Sequence, residues 1–195
     1  MKQLFASVLV LLFAVSLHAQ GEPKGLEVND KAPVFIAKDQ EGKSVSLSEQ
    51  LKKGPVVLVF YRGQWCPYCN RYLKSLEDSL SLVTQKGATL IAVSPEKPES
   101  IAQTIEKTKA TYPILFDEGL QIMKSYDVTF AVDEKTIERY KGYGIDFIKT
   151  NGETNGARLP VPAVYVINKE GMIIYRHFDK NYTRRPPVAE ILRQL

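Results

Sequence analysis

Hydrophobic and polar positions change their spacing several times along the chain. The run Pro55-Val56-Val57-Leu58-Val59-Phe60-Tyr61, bounded by Gly54 and Gly63, has no polar face. That pattern predicts a strand buried on both sides, at the centre of a sheet covered by helices. Ahead of it, residues 34–37 read as a short strand with Pro33 at its opening, where a missing N–H is tolerated. Asp39-Gln40-Glu41-Gly42 then supplies a turn and Ser44-Val45-Ser46-Leu47 alternates, so a β-hairpin is expected. Beyond the central run, Leu73, Leu76, Leu80 and Val83 fall in register with Cys69 at three- and four-residue steps, predicting a helix over 67–85. A buried strand over 88–94 follows, then a helix from Pro98 to about 109 with Ile101 and Ile105 facing in. A short strand at 113–116 and a helix at 119–126 come next. Strands alternating with helices imply crossover connections, a largely parallel sheet and an α/β fold.

Residues 130–159 break this rhythm and read as an insertion, with a helix over 133–140 and a loop at Asn151-Gly152-Glu153-Thr154-Asn155-Gly156. Strands at 163–167 and 172–176 flank the turn Asn168-Lys169-Glu170-Gly171, giving a second hairpin at one side of the sheet. A helix over 187–195 closes the chain.

The N-terminal pattern is of another kind. Lys2 is followed by an apolar stretch to Val15 and then by Ser16-Leu17-His18-Ala19-Gln20. A positive start, an apolar stretch too short to span a bilayer and small residues before a polar stretch describe a cleavable secretory signal. Residues 1–19 are therefore expected to be a signal peptide, 20–32 a leader and 33–195 one domain. No Cys lies near the cleavage site, so no lipid anchor is expected there and the mature protein is expected to be periplasmic or secreted, off the membrane. Lys and Arg outnumber Asp and Glu by 26 to 22 without forming a run, which gives no case for nucleic acid. Export bears on the chemistry, because disulfides persist in oxidising compartments.

Both cysteines lie in Trp65-Cys66-Pro67-Tyr68-Cys69, between the central strand and the next helix. Free N–H groups and the dipole at a helix start favour a thiolate, so Cys66 is the expected nucleophile. Cys69, one turn later and facing the core, could attack a mixed disulfide on Cys66 and release the partner. Trp65 and Pro67 help fix the turn, and Tyr68 shapes access to the thiols. A purely structural disulfide would close so short a loop that it adds only roughly 2 kcal/mol. Zinc lacks donors, since the mature chain has two Cys and His177 alone, and no cofactor is expected. Covalent haem needs a His where Asn70 stands. Pro162 opens an apolar strand; with a C-x-x-C upstream it is expected to be cis, facing the cysteines and leaving the backbone at Val161 free to pair with a substrate. His177 reads as a half-buried strand residue. Arg62 and the pair Arg184-Arg185 read as solvated charges, although Arg62 is near enough in sequence to favour the Cys66 thiolate.

Phe60-Tyr61-Arg62-Gly63-Gln64-Trp65-Cys66-Pro67-Tyr68-Cys69-Asn70, with Leu159-Pro160-Val161-Pro162-Ala163 and Asp179-Lys180-Asn181-Tyr182-Thr183-Arg184-Arg185, resembles the peroxiredoxin-like branch of the AhpC/TSA superfamily. The resemblance runs from about Asp30 to the C-terminus and implies a thioredoxin-like fold and an antioxidant role. It also has departures. Where true peroxiredoxins carry a proline, a hydroxyl residue, the attacking cysteine and an arginine, this chain has Arg62, Cys66, Cys69 and Pro162. Against thioredoxin the cysteines and the proline match, but the buried acid six residues before the first cysteine falls on Phe60. Loss of donors around a peroxide slows its cleavage. The resemblance thus implies a dithiol/disulfide oxidoreductase in which Cys66 attacks and Cys69 resolves, served by a thiol-protein electron donor or acting on a client disulfide protein. A thiol peroxidase using Cys69 or Cys66 on a hydroperoxide is the alternative. A non-catalytic binding module with an inert disulfide is a third reading.

Overall fold

The computed structural model describes residues 22–195, so the expected signal peptide lies outside the described residues. The hairpin pairs β1, Ile36–Lys38, with β2, Ser44–Ser46, in antiparallel register. Asp39 Oδ1 closes its turn by accepting the N–H groups of Glu41 and Lys43, both at 2.9 Å. Leu47 does not extend the second strand. It begins α1, Leu47–Lys53, because the Ser46 hydroxyl accepts the Glu49 N–H and so starts a helix.

The central run is β3, Val56–Phe60, buried at every position. The predicted long helix forms as two, α2, Pro67–Asp78, and α3, Leu80–Gln85. Between them Ser79 leaves helical geometry and its N–H donates to Leu76 O, tightening the last turn. The chain continues through β4, Thr89–Ser94, α4, Pro98–Thr108, and β5, Ile114–Phe116. A 3-10 turn over Glu118–Leu120 precedes α5, Gln121–Ser125, in place of one helix from 119. The Asp117 carboxylate causes this start by accepting the N–H groups of Ile122 and Met123 at 3.0 and 2.8 Å.

The segment after residue 128 is ordered as a small subassembly. Its strands β6, Thr129–Ala131, and β7, Arg158–Pro160, pair antiparallel and enclose α6, Glu134–Gly142, and α7, Phe147–Asn151. Val132, Phe147 and Leu159 form its own apolar centre, against which Trp65 and Tyr140 pack. The hairpin of β8, Ala163–Ile167, with β9, Ile173–Phe178, and the helix α8, Val188–Leu192, complete the fold.

The main sheet has the order β5-β4-β3-β8-β9. Only β8 runs against the other strands, so two of the four pairings are parallel and two antiparallel, and the sheet is mixed where a largely parallel one was expected. Along β3 the side chains alternate between two cores: Val56, Leu58 and Phe60 join one, and Val57, Val59 and Tyr61 join the other, with both cysteines. The second core is covered by α2 and α4, and this places the head of α2 at the C-terminal edge of the central strands.

The Val161–Pro162 bond is trans, contrary to the expectation of a cis proline. The preceding residues are committed elsewhere: Pro160 pairs with Thr129, and the Val161 N–H donates to Val128 O at 2.7 Å. The carbonyl of Val128, just ahead of β6, therefore occupies the backbone donor that was expected to be free for a substrate.

Candidate active site

The local geometry at the thiols follows from the change of chain direction after β3. Cys66 is the N-cap of α2 with an extended backbone, and Pro67 takes the first helical position, where its missing N–H costs nothing. Both cysteines are free thiols and each is 1% exposed. Their acidities are pushed apart. The Cys66 thiol is lowered first by a hydrogen bond from the Cys69 thiol, then by the Cys69 amide and the charges of Arg62 and Arg185, against the opposing effect of burial. Cys69 is raised, chiefly by burial and by the bond it donates to Cys66. One sulfur is thus prepared as a thiolate and the other held as a thiol.

Cys66 lies on a cleft of about 340 Å³, which Cys69 does not line. The remaining walls come from distant parts of the chain. Trp65 meets Tyr140 of α6 and Phe147 of α7 edge-on, with ring centroids 5.1 and 5.5 Å away. Tyr68, 39% exposed, meets Tyr182 at 5.9 Å across the mouth.

Arg62 is not a solvated charge. It is 6% exposed, its guanidinium lies 4.3 Å from the Tyr182 ring centroid and 4.9 Å from that of Trp65, and Nη2 donates to Tyr140 Oη at 2.8 Å. Stacking on aromatic faces keeps this cation out of water. Arg185 is also drawn in: its Nη2 lies 3.5 Å from Cys69 Sγ and its guanidinium packs against Tyr72, while Arg184 remains exposed. His177 is a half-buried residue of β9 whose pKa burial lowers. It pairs with Val164 and lines no part of the cleft.

Sequence reasoning missed two groups, Arg185 and Glu96. Phe60, at the position where thioredoxin holds its acid, points into the opposite core. A buried acid lies instead just beyond β4. Glu96 is fully buried, its Oε2 accepts the Gln64 N–H at 2.7 Å, and its Oε1 has no hydrogen-bond partner among the described residues. Burial raises its pKa to about 8, and a charge on Cys69 acts in the same direction. The signal available in the sequence was weak: a lone Glu in Ser94-Pro95-Glu96-Lys97 reads as a solvated loop charge.

Gly63 makes this arrangement possible. A Cβ there would sit 2.6 Å from both Glu96 Oε1 and Trp65 Nε1, and the backbone has φ +154°. Gly63→Ala is expected to destabilise the fold by roughly 1–3 kcal/mol. Urea unfolding checks this, and a wild-type midpoint would mean that the carboxyl and indole can give way.

A profile of the AhpC/TSA family matches residues 28–176, most of the chain. The chain belongs to the AhpC/TSA family. Among curated relatives, the chloroplastic Peroxiredoxin Q of Gentiana triflora is 36% identical over 96 residues, 49% of this chain and 44% of that protein. The match thus spans less than half of that relative's length. The thiol-disulfide oxidoreductase ResA of Bacillus thuringiensis is 26% identical over 125 residues, 60% of this chain and 71% of that one. The crystal structure of peroxidoxin BcpB from Mycobacterium tuberculosis superposes with a TM-score of 0.67 at 18% identity, over 87% of this chain and 96% of that one, and shows the shared fold. Pro162 stands where the resemblance to true peroxiredoxins implies an arginine. The C-terminal segment brings Arg185 to the Cys69 sulfur instead. Family membership and the paired thiols identify a thiol-based oxidoreductase.

Proposed function

We propose that this protein is an exported thiol–disulfide oxidoreductase in which Cys66 attacks and Cys69 resolves. The observation that carries the reading is the asymmetry of the pair: the sulfur favoured as thiolate faces the cleft, and the sulfur favoured as thiol is buried near a carboxyl. The Cys66 thiolate bonds to one sulfur of a disulfide, the substrate S–S bond breaks and one thiolate leaves. Cys69 then loses its proton, bonds to Cys66 Sγ and releases the second thiolate. Glu96 supports this second step, since a carboxyl with a pKa of about 8 is matched to a thiol and can take its proton. Arg185 favours the transient Cys69 thiolate. A thiol-protein donor returns the resulting disulfide to the dithiol. The apolar N-terminal segment supports export to a compartment where such a cycle has substrates.

A second reading, a thiol peroxidase attacking through Cys69, draws on Arg185 at that sulfur, where a guanidinium could also stabilise a peroxide oxygen. Mixing the reduced protein with a small disulfide or with hydrogen peroxide separates the two. The expected result is rapid thiol loss with the disulfide, rising with pH through about 6 as Cys66 ionises, and a peroxide rate like that of free cysteine. A peroxide rate orders of magnitude above free cysteine would move the attack to Cys69.

A further inference from the structure

The cleft over Cys66 has a composition that specifies more than access. Arg62 and Arg139 are its charged residues, no acidic residue lines it, and the rest of its wall is apolar or aromatic. Among the described residues neither arginine lies within ion-pair distance of a carboxylate. A buried cation is costly unless a counter-charge or a ring face compensates it. Arg62 has ring faces, and its charge is available to whatever stands beside Cys66. Arg139 lies exposed one residue before Tyr140, on the helix that forms the opposite wall. The two cations therefore reach the cleft from different elements.

The backbone donor also argues about size. A polypeptide docking beside a thiol of this fold would pair with the chain just before Pro162, as an added strand does. Here the Val161 N–H is already bonded to Val128 O. The occupant must be recognised by the side chains of the cleft, whose volume of about 340 Å³ suits a small molecule.

We propose that the physiological oxidant is a low-molecular-weight disulfide carrying a carboxylate close to its S–S bond on an apolar or aromatic body. This rests on the disulfide-exchange reading above. Arg62 and Arg139 hold the carboxylate, and Trp65, Tyr68, Tyr140 and Tyr182 flank the body. The Cys66 thiolate displaces one carboxylated thiolate, and Cys69 displaces the other. Two electrons pass from the dithiol to the substrate; the Cys69 proton leaves through Glu96, and the two departing thiolates stay ionised or take protons from solvent according to their own acidity. When the mixed disulfide forms, Cys66 loses its negative charge and the substrate carboxylate takes its place beside Arg62.

The test compares second-order rates of thiol loss from the reduced protein with dithiobis(nitrobenzoate) and dithiodiglycolate as anions, dithiodipyridine and hydroxyethyl disulfide as neutral probes, and cystamine as a cation. Each rate is divided by that of dithiothreitol with the same compound, which removes intrinsic reactivity. The anions are expected to be favoured over the neutral probes by about tenfold, the effect of one close ion pair. Arg139→Glu is expected to slow the anions and speed cystamine, opposite changes that misfolding cannot produce. Normalised rates that ignore charge in the wild type, or that move together in Arg139→Glu, overturn the proposal while leaving disulfide exchange intact. Failure of every disulfide to react would overturn the exchange reading itself.

Discussion

Replacing Cys66 by Ser should lower disulfide reduction by at least about 10³-fold, since the nucleophile of the first step is lost and nothing else in the cleft can replace it. Cys69→Ser should behave differently. Its Cys66 still attacks, but no buried thiol follows, so the protein accumulates as a mixed disulfide with its substrate. The two variants therefore separate in a single-turnover experiment followed by mass: unmodified protein for Cys66→Ser, and a covalent adduct on Cys66 for Cys69→Ser. Cys69→Ser keeps a hydroxyl donor beside the Cys66 thiolate, whereas Cys69→Ala loses the hydrogen bond that does most to stabilise it, so adduct formation near pH 6 should be slower in Cys69→Ala than in Cys69→Ser. An adduct on Cys69 in the Cys66→Ser protein, formed at the wild-type rate, would reverse the roles assigned here.

Glu96→Gln should raise stability and slow the second step together. Between about pH 4.5 and 8 the folded protein keeps a Glu96 proton that the unfolded chain has released, so stability falls as pH rises through that window and levels off above it. At about 1.4 kcal/mol per pKa unit, the cost at pH 8 is roughly a few kcal/mol. Glutamine is neutral at every pH and keeps an oxygen for the Gln64 N–H, so the variant should be the more stable protein at pH 8 and about equal to wild type near pH 4. Urea unfolding at the two pH values measures this. The same variant cannot accept the Cys69 proton, and release of the second thiol should slow by about 10²-fold with the Cys66 attack unchanged. A merely structural Glu96 would alter the unfolding curves and leave thiol release untouched. An unchanged pH dependence of stability would show that the carboxyl does not titrate as its burial requires.

These two experiments concern groups that differ in how they could be found. Cys66 and Cys69 stand out because the chemistry depends on a spacing of three residues at a helix start, a relation contained in one short segment. Glu96 and Arg185 do not. Each is an ordinary charged residue in a polar stretch, and each becomes part of the site only through the packing of elements far apart in the chain. The same distinction explains the errors at Ser79 and Leu47. A three- and four-residue apolar rhythm continues across Ser79 although the helix does not, and alternation continues into Leu47 although the Ser46 cap has already started a helix.

The sequence by itself determined the α/β class, the buried central strand, both hairpins and the position of the C-x-x-C at the head of a helix. These rest on periodicity and on neighbours a few residues apart, which the backbone reads locally. Only the tertiary structure decided that Arg62 is caged by rings from Tyr140 and Tyr182, that Arg185 touches Cys69, that Glu96 is buried and that Pro162 is trans. Each depends on a partner brought close by the sheet or by the α6 and α7 subassembly. Burial, which turns an exposed charge into a chemical group, belongs to the packed molecule and not to any stretch of its chain.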